Sequence, residues 1–445
     1  MGHSKENATA EASRLETPEE VLFHVSGSNS IGEKLLPELL KAFMQKEGYE
    51  QVRIAQAPVS AGGVTEKQVI GNKNGKSTAI SILAEGSNEA FKDLAAGKAE
   101  IGISSRKITD IEVAQLSSLG NMTSHECEHI FAMDGIAIIV PGSNPLKSLS
   151  KDQISQIFSG SITNWSQVSD NKVGAINLYA RDKQSGTYES FKAAVLGGSD
   201  IVSNVKWFKS GKELSDAVSQ DANGIGFVAL NSVLNNKALA ISDSKDIAPF
   251  YPTPFTISTE DYPLSRRLYM YTVANPKSQI IKAFINYALS DEGENVVSQT
   301  GFVGLSMQIN KNASRDASAL SGNLPAEYVA ATQGAARENV DFRFQTGSSM
   351  LDNKALDDLD RMARTFAKPD MRNKKILLLG FTDNQGADAA NRKLAQSRTN
   401  AVLQELKSRG LSVENSYGLG NMMPVASNLT PIGRDKNRRV EVWVK

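Results

Sequence analysis

The chain contains the stretch Arg181-Asp-Lys-Gln-Ser-Gly-Thr187, which runs directly into the helical pattern that begins at Tyr188. At the start of a helix, free backbone N–H groups and the positive end of the helix dipole favour an anion. Ser185 and Thr187 can add hydroxyl donors, and Arg181 can add a charged donor. This stretch therefore predicts an anion-binding turn, and the alternation of strands and helices around it predicts an α/β fold.

Two further polar segments stand at predicted helix starts. Ser26-Gly-Ser-Asn-Ser30-Ile-Gly32 precedes a helical pattern over Glu33–Phe43, and Gly86-Ser87-Asn88-Glu89 lies between an apolar strand and a helical pattern. Taken singly, each segment is more simply explained as an N-cap, which is the commoner use of Ser and Thr at such positions. Three segments together, one of which carries an arginine, favour convergence on one anion.

Short apolar runs predict buried strands that alternate with amphipathic helices in two regions of the chain. The first region has strands at Ile80–Ala84, Ile101–Ile103 and Ile136–Val140, and a helix at Glu33–Phe43. The second has strands at Val340–Phe344, Lys375–Phe381 and Arg439–Val444, and helices at Met350–Phe366 and Ala387–Lys407. Both regions therefore read as α/β units.

Composition excludes several classes of protein. A length of 445 residues predicts two to four domains, and 40% hydrophobic residues suffice for packed cores. Equal counts of 49 basic and 49 acidic residues argue against a nucleic-acid-binding protein. The single cysteine, Cys127, excludes an intrachain disulfide and a multi-cysteine zinc site. No apolar run reaches the roughly 18 residues of a membrane span.

Polar segments delimit the two α/β regions. Residues 1–20 read as a disordered lead-in, and Met1-Gly-His-Ser4 resembles an expression scar without a secretory signal. The protein is therefore either cytoplasmic or has had its signal removed. Lys311–Pro325 is rich in small residues, which predicts a linker. We place a first domain at 21–312, the linker at 313–337 and a second domain at 338–445.

Two segments match known motifs, a zinc-protease motif and a phosphate-binding loop, but neither has the context or spacing that its motif requires. His125-Glu-Cys-Glu-His129 fits the zinc-protease pattern, but that chemistry needs a helix and the motif runs into a predicted strand. Gly71-Asn-Lys-Asn-Gly-Lys-Ser77 resembles a phosphate-binding loop, but three residues separate its glycines instead of four. We therefore predict no metal site and no cofactor.

Residues 21 to about 310 resemble the phosphate-binding protein of bacterial phosphate ABC transporters, a type II periplasmic binding protein. The matching segments are Ser26–Ser30, Ala84–Ser87, Ala99–Arg106, Asp134–Ile138, Leu149–Gly160, Asn164-Trp165 and, most specifically, Arg181-x-x-x-Ser-Gly-Thr187. The resemblance implies two lobes, about 21–135 plus 266–312 and 136–265, with phosphate in the cleft between them. It also implies a set of phosphate-binding residues: Ser30, Ile31, Ser87, Ser105, Arg181, Ser185, Gly186 and Thr187.

One position departs from part of that family. Some members have an aspartate where Ser105 stands, and that carboxylate accepts the proton of hydrogen phosphate and rejects sulfate. A hydroxyl does not repel a proton-free anion in this way, so the sequence predicts oxyanion binding with weak discrimination between phosphate and sulfate. Arg106 follows directly, and the sequence leaves open whether it enters the cleft.

Residues 338–445 resemble the C-terminal peptidoglycan-binding domain of the OmpA family. The matching segments are Phe342–Ser349, Gly380–Gly386, Asn391-x-x-Leu-Ala-x-x-Arg398, Gly418–Gly420 and the run from Asn428 to Val442. The resemblance implies that Asp383 and Arg398 bind the zwitterionic end of diaminopimelate in the peptide stem. The rim would comprise Thr382, Asn384, Asn391, Asn437 and Arg438.

The residues themselves agree with this second resemblance. Asp383 follows the predicted Lys375–Phe381 strand, and Asn391 and Arg398 are seven positions apart on one helix face. An acid and a base in one pocket suit a ligand with a free amine and a carboxylate, which arginine can bind with two hydrogen bonds.

We therefore expect a non-catalytic protein of the periplasm or cell envelope, with no nucleic-acid or membrane-spanning role. Its expected partners are phosphate or a related oxyanion, peptidoglycan, and a transporter permease as a further candidate. Two alternatives stay open. One is a wall-anchored scaffold whose ligand-free cleft contacts a protein, and the other is a zinc hydrolase that uses His125 and His129.

Overall fold

The computed structural model describes residues 14–58, 60, 64–313, 322–346 and 348–445. The expression scar predicted at the N-terminus and the middle of the predicted linker lie outside these residues. Two compact units are present. Unit one is the chain up to Glu128 together with Tyr269–Thr300, and unit two is His129–Leu268 together with Gly301–Lys445. The C-terminal region thus belongs to the same unit as the second predicted lobe.

The strands are β1 Glu20–Gly27, β2 Glu50–Gln56, β3 Thr65–Lys73, β4 Lys76–Ala84, β5 Ile101–Ser104, β6 Glu128–Pro141, β7 Ser148–Ser150, β8 Asn177–Arg181, β9 Lys206–Phe208, β10 Gly224–Ala229, β11 Asn236–Ala238, β12 Ala240–Ser242, β13 Ser265–Thr272, β14 Ile309–Asn310, β15 Ala336–Arg343, β16 Ile376–Gly380, β17 Val413–Gly418 and β18 Arg439–Val444. The helices are α1 Leu36–Lys46, α2 Ser87–Ala95, α3 Asp110–Gln115, α4 Lys151–Phe158, α5 Gly186–Val195, α6 Gly211–Ser219, α7 Pro254–Ser258, α8 Gln279–Ala288, α9 Asp291–Gln299, α10 Ala326–Thr332, α11 Asn353–Phe366, α12 Asp388–Ser408 and α13 Pro431–Asn437.

Unit one is built on strands in the order β2-β3-β4-β1-β5. β1 lies between β4 and β5 and is parallel to both, with Gly27 opposite Ala84 on one side and Ile103 on the other. Helices α1 and α8 cover the sheet through Phe43 and Phe284, whose ring centroids are 5.3 Å apart. Because parallel strands end at one edge of a sheet, the segments that follow β1, β4 and β5 emerge side by side.

The lobe in unit two is also built on a sheet with parallel strands, from which a turn leads into a helix. β8 is parallel to β10 and to β9, and β10 pairs antiparallel with β6. The α5 side chain Phe191 stacks on Phe227 of β10 at 3.9 Å between ring centroids, which anchors the helix on the sheet. Arg181, the last residue of β8, and Gly186, the first residue of α5, are therefore held by a packed core on both sides.

The C-terminal region forms a sheet in the order β14-β15-β18-β16-β17. One face packs on α11 and α12 through side chains such as Leu359 and Val402, and the other packs on Tyr328 of α10. β18 has the bounds predicted from the sequence, because its alternation Arg-Val-Glu-Val-Trp-Val places successive side chains on opposite faces.

Three segments differ from the sequence-based description. Residues 326–332 of the predicted linker form α10, because Tyr328 packs against Trp443. The predicted disordered lead-in is ordered at its end, where Glu16 pairs with Arg53. The helix predicted from Glu33 begins instead with a π-helical turn at Ile31–Leu35.

Glu338 is an acidic residue buried within the C-terminal sheet. It lies on β15 and is 0% exposed, and neither carboxylate oxygen has a hydrogen-bond partner among the described residues. Burial raises the pKa of Glu338 from 4.5 to about 7. An acid whose pKa is higher in the folded state lowers stability as the pH rises through that interval.

We expect Glu338→Gln to raise the free energy of unfolding at pH 7 by about 2–4 kcal/mol, because glutamine removes a buried charge. At pH 4, where glutamate is protonated in both states, the variant and parent should be nearly equal. Urea unfolding at the two pH values measures the difference. Glu327→Gln, at an exposed position, is the control. An equal gain at both pH values would contradict the proposed cause.

Candidate functional site

In unit one, the turn after β1 brings small polar groups together. The Oγ atoms of Ser28 and Ser30 are 3.0 Å apart, and the N–H of Ile31 points to Ser28 Oγ at 3.4 Å. Gly27 has a φ of +135°, and a Cβ there would lie 2.1 Å from the carbonyl oxygen of Ile103. Only glycine fits this turn. Sequence reasoning missed Ser28, whose complete burial a local pattern does not show.

Ser87 and Ser105 meet at the same sheet edge. Their Oγ atoms are 3.1 Å apart, and the backbone N–H of Ser105 donates to Ser87 Oγ at 3.0 Å. Both side chains are buried, and Ser87 is the first residue of α2. The structure thus unites two predicted site residues that are eighteen positions apart in the sequence.

Arg106 forms an ion pair with a carboxylate of the protein itself. Its guanidinium donates to both oxygens of Glu112, at 2.7 and 3.0 Å, and to Asn88 Oδ1 at 2.6 Å. Burial alone would raise the pKa of Glu112, but hydrogen bonds from Arg106 and Thr109 outweigh it and hold that pKa below its usual value. The structure therefore gives Arg106 the role of an ion-pair partner of Glu112.

In unit two, Ser185 has the geometry of an N-cap. Its Oγ accepts the backbone N–H of Tyr188 at 3.1 Å and donates to the carbonyl of Asp182 at 2.8 Å. These bonds fix the turn between β8 and α5. Gly186 and the half-exposed Thr187 follow within the first turn of α5, where backbone N–H groups have no intrahelical acceptor.

Arg181 is the charged group of this turn. Its Nη2 donates to the carbonyl of Lys209 at 3.0 Å, while its buried Nε has no acceptor in the described part of the chain. The Asp182 carboxylate is 3.8 Å from Nη2, too far for a hydrogen bond. A buried charged donor without an acceptor is costly, and an anion at this position would remove that cost.

Arg266 is a further residue at the turn that sequence reasoning missed. It forms an ion pair with Asp134, with Nε and Nη2 at 3.1 and 2.9 Å from Oδ2, and Nη2 is 3.5 Å from the carbonyl of Gly186. Asp134 also accepts the N–H of Gly135. The charge of Asp134 is therefore balanced within the protein, and Arg266 supports the first turn of α5.

Neither catalytic motif has the structure that its chemistry requires. His125 lies in a turn and His129 lies on β6, so the two side chains do not project from one helix face. Across the described ranges, no group of three His, Cys, Asp or Glu residues could hold a metal ion. The Gly71–Ser77 segment is the hairpin between β3 and β4, and its turn residues Asn74 and Gly75 have φ values of +52° and +75°.

In the C-terminal region, Asp383 lies directly beyond β16. Arg438 Nη1 donates to its Oδ2, and the backbone N–H of Gln385 donates to its Oδ1 at 2.9 Å. Sequence reasoning placed Arg438 on the rim, whereas the structure places it in contact with the central carboxylate. The fifty-five positions between the two residues explain why no local pattern showed the pair.

Arg398 of α12 is the second group of this pocket. It is 7% exposed, its guanidinium is centred 5.4 Å from the Phe344 ring, and its Nε and Nη1 find no acceptor in the ranges that the structure covers. Burial lowers the pKa of Arg398, the Arg438 charge lowers it further, and Asp383 opposes both. Arg438 pairs with both Asp383 and Asp435, whereas Arg398 forms no ion pair among the described residues and is therefore the cation suited to an additional anion.

The predicted rim residues have distinct roles. Asn391 lies on the Arg398 face of α12 and donates to the carbonyl of Gly386 at 3.4 Å, while Asn384 is exposed. Asn437 is fully buried: its Oδ1 accepts two backbone N–H groups and its Nδ2 donates to two oxygens within residues 425–428. Asn437 therefore shapes the loop. Thr382 Oγ1 donates to the carbonyl of Asp383.

None of the helices that the structure describes combines the length and apolar character needed to cross a membrane.

Comparison with known proteins gives two matches along the chain. Residues 7–292 match the family model of the PBP superfamily domain, and residues 343–438 match that of the OmpA family. The phosphate-binding protein PstS of Pseudomonas aeruginosa is 28% identical over 253 residues, which are 53% of this chain and 77% of that protein. The PstS of Borreliella burgdorferi is 28% identical over 245 residues, which are 53% of this chain and 82% of that protein.

Solved structures give similar matches. A crystal structure of an ABC-type phosphate transport receptor from Vibrio cholerae has a TM-score of 0.48 and 23% identity, covering 63% of this chain and 98% of that one. The two relatives PstS are described as phosphate-binding proteins, and the two family models confirm the predicted resemblance to both families. Because the first match spans more than half of the residues, the chain belongs to the PBP superfamily, and it carries an OmpA-family domain at its C-terminal end.

Proposed function

We propose that this solute-binding protein captures phosphate or a similar oxyanion and is attached to peptidoglycan by its OmpA-family domain. The observation that supports the first half is Arg181, a charged donor with an unused buried N–H at the start of α5. The names of the relatives, which are phosphate-binding proteins, support the same ligand class.

The proposed oxyanion ligands are of two kinds. Hydroxyl and backbone donors follow the neighbouring strands β1, β4 and β5, and the charged donor Arg181 and the first turn of α5 lie at the end of β8. Ser185 would act mainly by holding that turn, because its hydroxyl already donates to Asp182. The complete set is Ser30, Ile31, Ser87, Ser105, Arg181, Ser185, Gly186 and Thr187.

The proposed peptidoglycan site takes a group that carries an amine and a carboxylate on one carbon, as the end of diaminopimelate does. Arg398 has two unused N–H groups for the carboxylate, and Asp383 has the negative charge for the ammonium. Arg438 would hold Asp383 in place and add positive charge beside the carboxylate. Asn384 and Asn391 would border the bound group.

The two proposed activities together favour a location outside the cytoplasm, in the periplasm or cell envelope. Peptidoglycan is found there, and a solute captured there needs a route through the membrane. A permease of an ABC transporter is accordingly the proposed partner for the oxyanion-loaded state. A scaffold that binds no solute is the competing outcome of the first test below.

We expect Arg181→Ala to weaken phosphate binding more than tenfold, or about 1.4 kcal/mol, because a hydrogen bond from a buried charged donor contributes about 1.5–3 kcal/mol. Calorimetry on ligand-stripped protein measures this effect. Arg53→Ala on β2, which breaks an ion pair with Glu16, is the matched control and should bind like the parent. Absence of heat from the parent with phosphate, sulfate and arsenate would favour the scaffold.

We expect the parent to prefer phosphate over sulfate by less than about a thousandfold, each tenfold step being about 1.4 kcal/mol. The reason is that hydroxyls occupy the Ser87–Ser105 position, while Asp134 is already neutralised by Arg266. Ser105→Asp should widen the preference, since a carboxylate accepts the phosphate proton and repels sulfate. Competition titrations test both statements. If the parent prefers phosphate over sulfate by more than that limit, another residue must accept the proton of the phosphate.

We expect Asp383→Ala and Arg398→Ala each to remove most binding to diaminopimelate-type peptidoglycan, because each leaves one end of the zwitterion opposite a mismatched charge. The double variant should lose little more, since both residues act on one group. Co-sedimentation of the whole chain with purified cell wall measures this.

The control for this test is Arg392→Ala on the same helix α12. Arg392 is exposed and pairs with Glu327, so its removal should leave sedimentation unchanged. Circular dichroism must show that all variants are folded. If the folded Asp383 and Arg398 variants pellet like the parent, the net positive charge of residues 326–445 becomes the better explanation of wall association.

A further inference from the structure

The loop and helix α13 that lead into Arg438 contact the solute-binding lobe of unit two. The backbone N–H of Ser427, at the start of this loop, donates to Asp243 Oδ2 at 2.7 Å. Arg343 Nη1 donates to the carbonyl of Lys436, and its Nη2 donates to the carbonyl of Thr259 at 2.8 Å. Asp243 therefore holds the backbone at Ser427 and Arg343 holds it at Lys436, two points that both precede Arg438 in the chain.

Asp243 is placed to hold the loop as an anion. It follows β12, its side chain is 11% exposed, and Lys151 Nζ is 3.1 Å from its Oδ1. Burial alone would raise the pKa of Asp243, but Lys151, the Ser427 N–H and Lys436 outweigh it and hold that pKa below its usual value. The negative charge thus faces a backbone donor and two lysines.

Arg343 links the same lobe to the floor of the pocket. Its Nε is 3.4 Å from the Glu260 carboxylate, and Glu260 also binds Arg267 through two contacts of 2.8 Å. The next residue along the chain, Phe344, lies beneath the guanidinium of Arg398. A shift of Arg343 would therefore displace the pocket floor as well as the carbonyl of Lys436.

The contact between lobe and domain contains further buried ion pairs. Arg267 Nη1 is 2.8 Å from Asp352 Oδ2, and Arg337 Nη1 is 2.8 Å from Asp261 Oδ2. All four side chains are at most 15% exposed. Separating such pairs leaves uncompensated charges in a poorly solvated place, so separation is strongly opposed. The domain is docked on the lobe.

We infer that Asp243 and Arg343 are positioning residues for the peptidoglycan pocket, so that the solute-binding lobe preorganises the wall-binding site. This inference rests on the proposed wall-binding function. Both residues act through Arg438: they fix the segment that leads into it, at Ser427 and Lys436, and Arg438 in turn holds Asp383. A pocket held in its binding geometry loses less freedom on binding and therefore binds more tightly.

The test uses the full chain and a soluble diaminopimelate-containing disaccharide-tetrapeptide, with calorimetry as the readout. Asp243→Ala should weaken binding about three- to tenfold, which corresponds to about 0.7–1.4 kcal/mol. Asp243→Asn keeps an oxygen acceptor for the Ser427 N–H and should recover much of the loss. Asp246→Ala, an exposed acid three positions along, is the matched control and should bind like the parent.

A double-variant comparison separates positioning from general stability. In an Arg438→Ala background, Asp243→Ala should cause no further loss, because its effect passes through Arg438. A purely structural effect would add in full. Phosphate titration of each variant reports whether the lobe is intact. If Asp243→Ala does not fold, Arg343→Lys replaces it, since lysine keeps the charge opposite Glu260 but cannot bridge both carbonyls.

The outcomes distinguish the inference from the function on which it rests. The inference is overturned if the parent binds the fragment and Asp243→Ala binds it equally well, or if the losses caused by Asp243→Ala and Arg438→Ala are fully additive. In both cases the wall-binding function still stands. Absence of binding by the parent overturns both. Weakened binding that is rescued by asparagine and is not additive with Arg438→Ala supports the inference.

Discussion

A guanidinium buried without a full set of acceptors costs free energy, and both candidate sites are built around such a group. Arg181 and Arg398 each retain buried N–H groups with no acceptor in the described ranges. Each is held by packed secondary structure, Arg181 at the end of β8 and Arg398 within α12. Because neither residue can leave its place without disrupting that packing, an anion from outside the chain is the simplest way to satisfy it.

An unused buried N–H alone does not single out these two arginines, because Arg337 and Arg439 each have one as well. Arg337 and Arg439 are, however, paired with the buried carboxylates of Asp261 and Glu441. Arg106 pairs with Glu112, and Arg266 pairs with Asp134, so the protein itself neutralises both cations. These two residues support turns near the proposed oxyanion ligands without offering an unused charge. Arg438 is intermediate, because it is paired with Asp383 but forms part of the pocket surface. The sequence alone does not distinguish arginines that are paired within the protein from those that can bind a ligand. The hydrogen-bond acceptors around each guanidinium in the structure do.

Local sequence patterns predicted the elements and the turns but not the long-range pairs. β18 was predicted with its observed bounds, and the helix predicted from Tyr188 is present but begins two residues earlier, at Gly186, with Ser185 as its N-cap; alternation and capping are local properties. The Asp134–Arg266 pair joins residues 132 positions apart, and Arg438 reaches Asp383 across fifty-five. Such contacts depend on how strands pair in space. The family resemblance supplied the site residues, but it did not show which of them are already engaged within the protein.

The contact between lobe and domain changes how the two proposed activities are related. A flexible linker would let the OmpA-family domain bind the wall while the solute-binding part moves freely. Instead, β14, which precedes the predicted linker, pairs with β15, and buried charges at the N-cap of α11 and on β15 meet partners on the lobe. A wall-bound domain would therefore hold that lobe in a fixed orientation.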